Sequence, residues 1–138
     1  MGMQIILTRG LHADLLALAA REAPREACGL LLGEVEEGRI ARVAALLPAA
    51  NIHVEPQRFF EIDPVVLIAA TRAARLGGPQ VLGCYHSHPS GVAVPSATDA
   101  AMAAHDGKLW AIVAQGAVRW WRDGPDGFEA LSSPDQQG

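Results

Sequence analysis

The feature that most limits how this chain can fold is residues 86–99, HSHPSGVAVPSATD. It follows residues 80–86 (QVLGCYH), an apolar run that reads as a buried strand. Side chains at i and i+2 of a strand share a face, so His86 and His88 project together from its end. A loop containing Gly91 and Pro95 returns the chain, and Asp99 arrives one turn into the next helix. Strand, loop and helix must therefore meet at one point if these three residues act as a unit.

Two imidazoles and a carboxylate can reach one divalent ion. Three protein ligands plus a water is the open coordination of catalytic zinc, whereas a structural site closes with a fourth ligand, usually a thiolate. Each fragment also has a plainer reading. A lone His-Ser-His at a strand end can simply face solvent. Ser96-Ala97-Thr98-Asp99 is an ordinary helix start, with Ser capping and Asp three residues on. The serine can cap while the aspartate binds metal, so the readings are only partly exclusive. Taken together the pieces are more specific: at this chain's residue frequencies, the spacing His-x-His-x7-Ser-x2-Asp arises in roughly a few of every ten thousand such sequences.

A water on such a metal needs a base. Glu26 lies in residues 24–33 (PREACGLLLG), between the first helix and the first strand. It precedes an apolar run that must enter the core, so its side chain can stand at the sheet edge facing the metal. The plainer reading is an exposed charge in a helix–strand loop. Glu22 competes, but it belongs to the helix and is expected to face solvent.

The rest of the chain supplies the frame. Residues 11–22 read as an amphipathic helix stopped by Pro24. Residues 28–34 and 39–47 suggest a hairpin turned through Glu36, Glu37 and Gly38. Residues 59–62 look like a short strand, and Asp63-Pro64 opens a helix that runs to about Leu76. Residues 96–106 look like a third helix. Residues 109–115 and 117–122 look like a closing hairpin over Gln115-Gly116. Mixed elements with hairpin neighbours favour an α/β fold of the α+β type over a doubly wound one.

On Glu26, the run Ala27-Cys28-Gly29-Leu30-Leu31-Leu32-Gly33, His86-Ser87-His88-Pro89, Ser96 and Asp99, the chain resembles the JAMM (MPN-plus) zinc metalloproteases of the compact prokaryotic type. The likeness extends over nearly the whole chain, through Asn51, Pro56 and Phe60. It implies a curved, mixed but mostly antiparallel sheet flanked by helices, a JAMM/MPN-like (cytidine-deaminase-like) architecture. It also implies one zinc per chain, held by His86, His88 and Asp99. Glu26 would hold the zinc water and act as general base, and Ser96 would hydrogen-bond the oxygen of the tetrahedral intermediate. The implied reaction is hydrolysis of an amide bond after the C-terminal tail of a ubiquitin-like or sulfur-carrier protein. A non-catalytic MPN-type scaffold, or a zinc hydrolase of another substrate class, is the alternative.

Composition bounds the remainder. The chain has 138 residues, 50% hydrophobic and 19% charged, which fits one domain, taken as residues 1–131 with a flexible tail at 132–138. A net charge of −4 argues against a nucleic-acid partner. No run of about 18 apolar residues and no signal-peptide pattern in residues 1–10 point to a protein without membrane contact, cytoplasmic in location. Cys28 and Cys84 are too few for a disulfide scaffold and are expected to be reduced core fillers. His12 and His53 are expected to face solvent, and His105 to sit near a helix end. Of Trp120 and Trp121, which must point to opposite faces, one is expected to be exposed as a contact for a protein partner or a homo-oligomer.

Overall fold

A computed structural model describes residues 3–138. The elements are β1 (Gln4–Thr8), α1 (Arg9–Glu22), β2 (Cys28–Glu36), β3 (Ile40–Ala49), α2 (Pro64–Arg75), β4 (Gln80–Ser87), α3 (Ala97–Met102), β5 (Leu109–Ala114), β6 (Ala117–Gly124), β7 (Gly127–Ala130) and β8 (Asp135–Gln137). The strands form one sheet in the order β7-β6-β5-β4-β2-β3-β1-β8. Pairing is antiparallel for β2–β3, β2–β4, β5–β6 and β6–β7, and parallel for β1–β3, β1–β8 and β4–β5. The mixed, mostly antiparallel sheet is therefore as expected. Register shifts on both sides of Leu32 mark bulges, which bend a sheet.

Period-2 alternation sorts the side chains onto two faces. In β5, Leu109, Ala111 and Val113 join the main core with Leu15, Leu31, Tyr85 and Trp120. Trp110 and Ile112 point to the other face, where Phe60 and Cys28 lie against Trp110. The β2–β3 and β5–β6 hairpins turn through positive-φ pairs, Glu37-Gly38 and Gln115-Gly116, the conformation of type I′ turns. Among the described residues no helix is long and apolar enough to cross a membrane.

Several expectations are corrected. Helix α1 begins at Arg9, not residue 11, because Thr8 caps it by accepting the Leu11 N–H. Residues 59–62 are not a strand; only Ile62 bridges to Asn51, and Phe60 turns inward. Helix α3 stops at Met102 rather than 106, since the Ala104 and His105 N–H groups donate to the buried Asp123 carboxylate instead of continuing the helix. His105 thus lies in a loop at φ 56, not at a helix end. The last residues, expected to fray, include β8 paired along β1. His12 and His53 are half-buried rather than solvent-facing, and His53 tilts against Phe59. Trp120 and Trp121 do face opposite sides, but Trp121 is not the exposed partner contact: it is half-buried and its Nε1 donates to the Ala93 carbonyl.

Candidate active site

Strand β4 runs between β2 and β5, and its C-terminal end brings His86 into the interior with no exposed surface. Phe60 stacks on the His86 ring at 4.2 Å and 18°, and Trp110 meets it edge-on at 5.6 Å. Its Nδ1 is buried without a partner, so on that side packing rather than a hydrogen bond holds the ring. His88 is held differently. Its Nδ1 lies 2.7 Å from the Val92 carbonyl oxygen, which requires Nδ1–H to donate; Nε2 is then a lone pair in the neutral ring and a donor to Asp99 only in the protonated one.

The two Nε2 atoms are 2.9 Å apart, and each lies 3.2 Å from Asp99 Oδ2. Asp99 reaches them from α3 through a reciprocal cap: its N–H donates to Ser96 Oγ, and its Oδ2 accepts the Ser96 N–H at 2.9 Å. Ser96 therefore caps a helix and stands beside Asp99 at once. Because its Oγ is only accepting in that bond, its O–H remains free to donate.

Glu26 comes from the segment between α1 and β2 and is buried, not exposed. A carboxylate oxygen of Glu26 and the ring nitrogens of His86 and His88 all lie within 4.8 Å of one another. Glu26, His88 and Ser96 share a cleft with Gln57, Arg58, Pro89, Ser90 and Gly91. All five residues expected at the site are thus neighbours. Glu22, the competitor, instead lies 3.8 Å from Arg25 at the helix end.

Two triads therefore exist, one with Asp99 and one with Glu26. Two ligands of one tetrahedral ion at about 2.0 Å lie about 3.3 Å apart. The spacing of 2.9–3.2 Å among His86, His88 and Asp99 fits that requirement. The donor set also fits zinc: two imidazoles and one carboxylate.

The local electrostatics separate the groups. Burial raises Asp99's pKa, but hydrogen bonds from both histidines outweigh it and hold the carboxyl well below the usual range. Burial pushes His86 down. Burial also opposes His88 protonation, but its bonds to Asp99 and the Val92 carbonyl and the nearby carboxylates move it up. The His86 and His88 directions differ because His86 is fully buried and His88 is not. Burial raises Glu26 to about 7, with His88 opposing and Asp99 adding to the shift. The cysteines, both free, are kept as thiols by burial, Cys28 up to about 12 and Cys84 further still.

Roles not assigned from sequence are those of Phe60 and Trp110 around His86, and of Asn51, whose side-chain amide ties the loop at 52–60 to the Glu26 carbonyl. An asparagine before an aromatic pair is a weak signal, because its partners here are backbone carbonyls.

The fold and site define a JAB/MPN-type domain. The family model for prokaryotic homologs of the JAB domain matches residues 8–123, and the chain belongs to that family. It is 37% identical over 98 residues to a Thermus thermophilus protein named "Probable TtuB-protein conjugate cleaving protease", covering 71% of this chain and 62% of that one. It is 36% identical over 94 residues to a desampylase of Haloferax volcanii, covering 68% and 66%. The match thus spans just under two thirds of the length of those relatives. A solution structure from Desulfitobacterium hafniense superposes with a TM-score of 0.84 at 28% identity, covering 97% of this chain and 94% of that one. A JAB1/MPN domain protein of Archaeoglobus fulgidus shares the fold at a TM-score of 0.61 and 23% identity, covering 98% and 100%.

Proposed function

We propose that this chain is a zinc-dependent metallopeptidase or isopeptidase that hydrolyses the amide bond after the C-terminal tail of a ubiquitin-like or sulfur-carrier protein. The observation that carries the reading is the convergence of His86 Nε2, His88 Nε2 and Asp99 Oδ2 beside the Glu26 carboxylate. His86, His88 and Asp99 would hold one zinc per chain. When bound, zinc supplies Lewis acidity toward a carbonyl and lowers the pKa of water to about 7.

Glu26 takes the proton of the attacking water and passes it to the leaving amine. A carboxyl raised to about 7 can both accept and release a proton near neutrality. Ser96 O–H donates to the substrate carbonyl oxygen as negative charge grows there, a contribution of about 2.7–4 kcal/mol for a well-aimed donor. The likeness to the Thermus and Haloferax relatives, named as a probable conjugate-cleaving protease and a desampylase, supports the substrate class. The two free cysteines suit the reducing cytoplasm.

The test is zinc per chain in wild type and Asp99→Ala, together with cleavage of a carrier fused through Gly-Gly to a reporter. One zinc and turnover are expected in wild type, with both diminished in the variant. A wild type that takes up no zinc, or turnover that survives exhaustive chelation, would overturn the reading.

A further inference from the structure

We propose that Asn51 is a positioning residue for Glu26, setting where the carboxylate stands by clamping the backbone that carries it; this rests on the hydrolase reading above. No hydrogen bond acts on the Glu26 carboxyl group among the described residues, so its own side chain does not fix its place. The backbone does. The Glu26 N–H donates to the Pro56 carbonyl at 2.7 Å, and the Glu26 carbonyl accepts from Asn51 Nδ2 at 3.0 Å. The same Nδ2 reaches the Phe59 carbonyl at 3.0 Å and the Pro56 carbonyl at 3.4 Å. Asn51 Oδ1 accepts the N–H groups of His53 and Glu61, each at 3.1 Å.

A primary amide has two N–H donors and two acceptor lone pairs, and all are engaged here, the long Pro56 contact being shared. One half-buried side chain therefore closes the loop at residues 53, 56, 59 and 61 and fastens it to residue 26. The loop has no strand or helix of its own. Gln57 and Arg58 from it line the cleft, and Phe60, two residues on, stacks on His86. An aspartate at position 51 would keep the acceptor half and the size, but would set a carboxylate against the Glu26 and Phe59 carbonyls. Asn51→Asp thus cuts the tie to Glu26 while sparing the His53 and Glu61 bonds.

The experiment compares zinc-loaded wild type and Asn51→Asp on the carrier–reporter fusion, alone and in a Glu26→Asp background. Misplacing a reacting group by about 1 Å can cost about 100-fold in rate. We expect kcat to fall about 10- to 100-fold, with KM within about twofold and one zinc retained. In the Glu26→Asp background, where the carboxylate is already displaced, the same change should cost under about threefold. An equal loss in both backgrounds, or loss of zinc, overturns the proposal, because Asn51 would then act on the fold or the ligands. Amide exchange keeps the question separate from substrate. If wild type does not cleave the fusion, the hydrolase reading fails. The clamp then stands if Glu26 N–H exchange accelerates at least about tenfold in Asn51→Asp with β5 unchanged, and falls if it does not. Should Asn51→Asp not fold, exchange on wild type decides: the Glu26, His53 and Glu61 amides open together if Asn51 joins them, and separately if it does not.

Discussion

Glu26 shows how one side chain's surroundings shift an ordinary carboxyl toward neutral pH. Its folded pKa of about 7 stands above the ordinary 4.5, so between those pH values the folded state binds more protons than the unfolded chain. Stability gained at low pH is then lost as pH rises through about 7. In zinc-free protein, Glu26→Gln should therefore be the more stable form at pH 8, by on the order of 1–2 kcal/mol after discounting for water at the cleft. The gap should close below the ordinary value of 4.5. Chelated melts across pH 4–8 measure this, and a gap that grows toward acid would contradict a raised pKa. The same variant should keep zinc and lose about 100- to 10,000-fold in turnover. Ser96→Ala should lose about 1 kcal/mol of stability through the cap, read by denaturation, and slow turnover with zinc retained. The five candidate residues, which the fold brings together, were legible because their types and spacings carry chemistry. Asn51 and Phe60 stood within the resemblance but without a role, since one works through backbone carbonyls and the other through a ring stacked on His86.

At the scale of elements, legibility followed local signals. The 28–47 hairpin, the Asp63-Pro64 helix start and the Gln115-Gly116 turn were all readable, because caps and I′ turns are properties of adjacent residues. The strands β1, β7 and β8 were missed: each is short and is defined by the neighbour it pairs with. The end of α3 was missed for the same reason, because Asp123 lies in β6. Alternation does not explain Gly83 in β4 either. A Cβ there would run into the Leu109 backbone carbonyl across the parallel β4–β5 pair. That neighbour is main chain and cannot swing aside. Gly83→Ala should therefore cost about 1–3 kcal/mol or more, read as a lower denaturant midpoint, and should weaken zinc binding because β4 carries His86 and leads directly into His88. An unchanged midpoint would mean that β5 yields more easily than a paired strand should.

Across the whole molecule, the site is assembled from segments far apart in sequence: Glu26 before β2, His86 and His88 at the end of β4, and Asp99 in a helix of only six residues. Helix α3 is too short to hold itself, being near one and a half turns, and isolated helices are marginal below about 12–15 residues. Its position depends on the Ser96–Asp99 cap, the Asp123 carboxylate and the bonds from Asp99 to the histidines. An ion held by His86, His88 and Asp99 would thus tie α3 to β4 as well as serve the chemistry. Ligand bound only by the folded state adds about 4.1 kcal/mol at 1,000 times Kd. For a chain of this size that corresponds to a fall in Tm of roughly 10 °C when zinc is removed. The loss should also be uneven. Hydrogen exchange should accelerate most in residues 86–102 after chelation, while the β2–β3 hairpin, bonded along its length and outside the ligand set, changes least. Uniform acceleration would mean that zinc acts only on global stability, and no change in either region would mean that α3 is held without it.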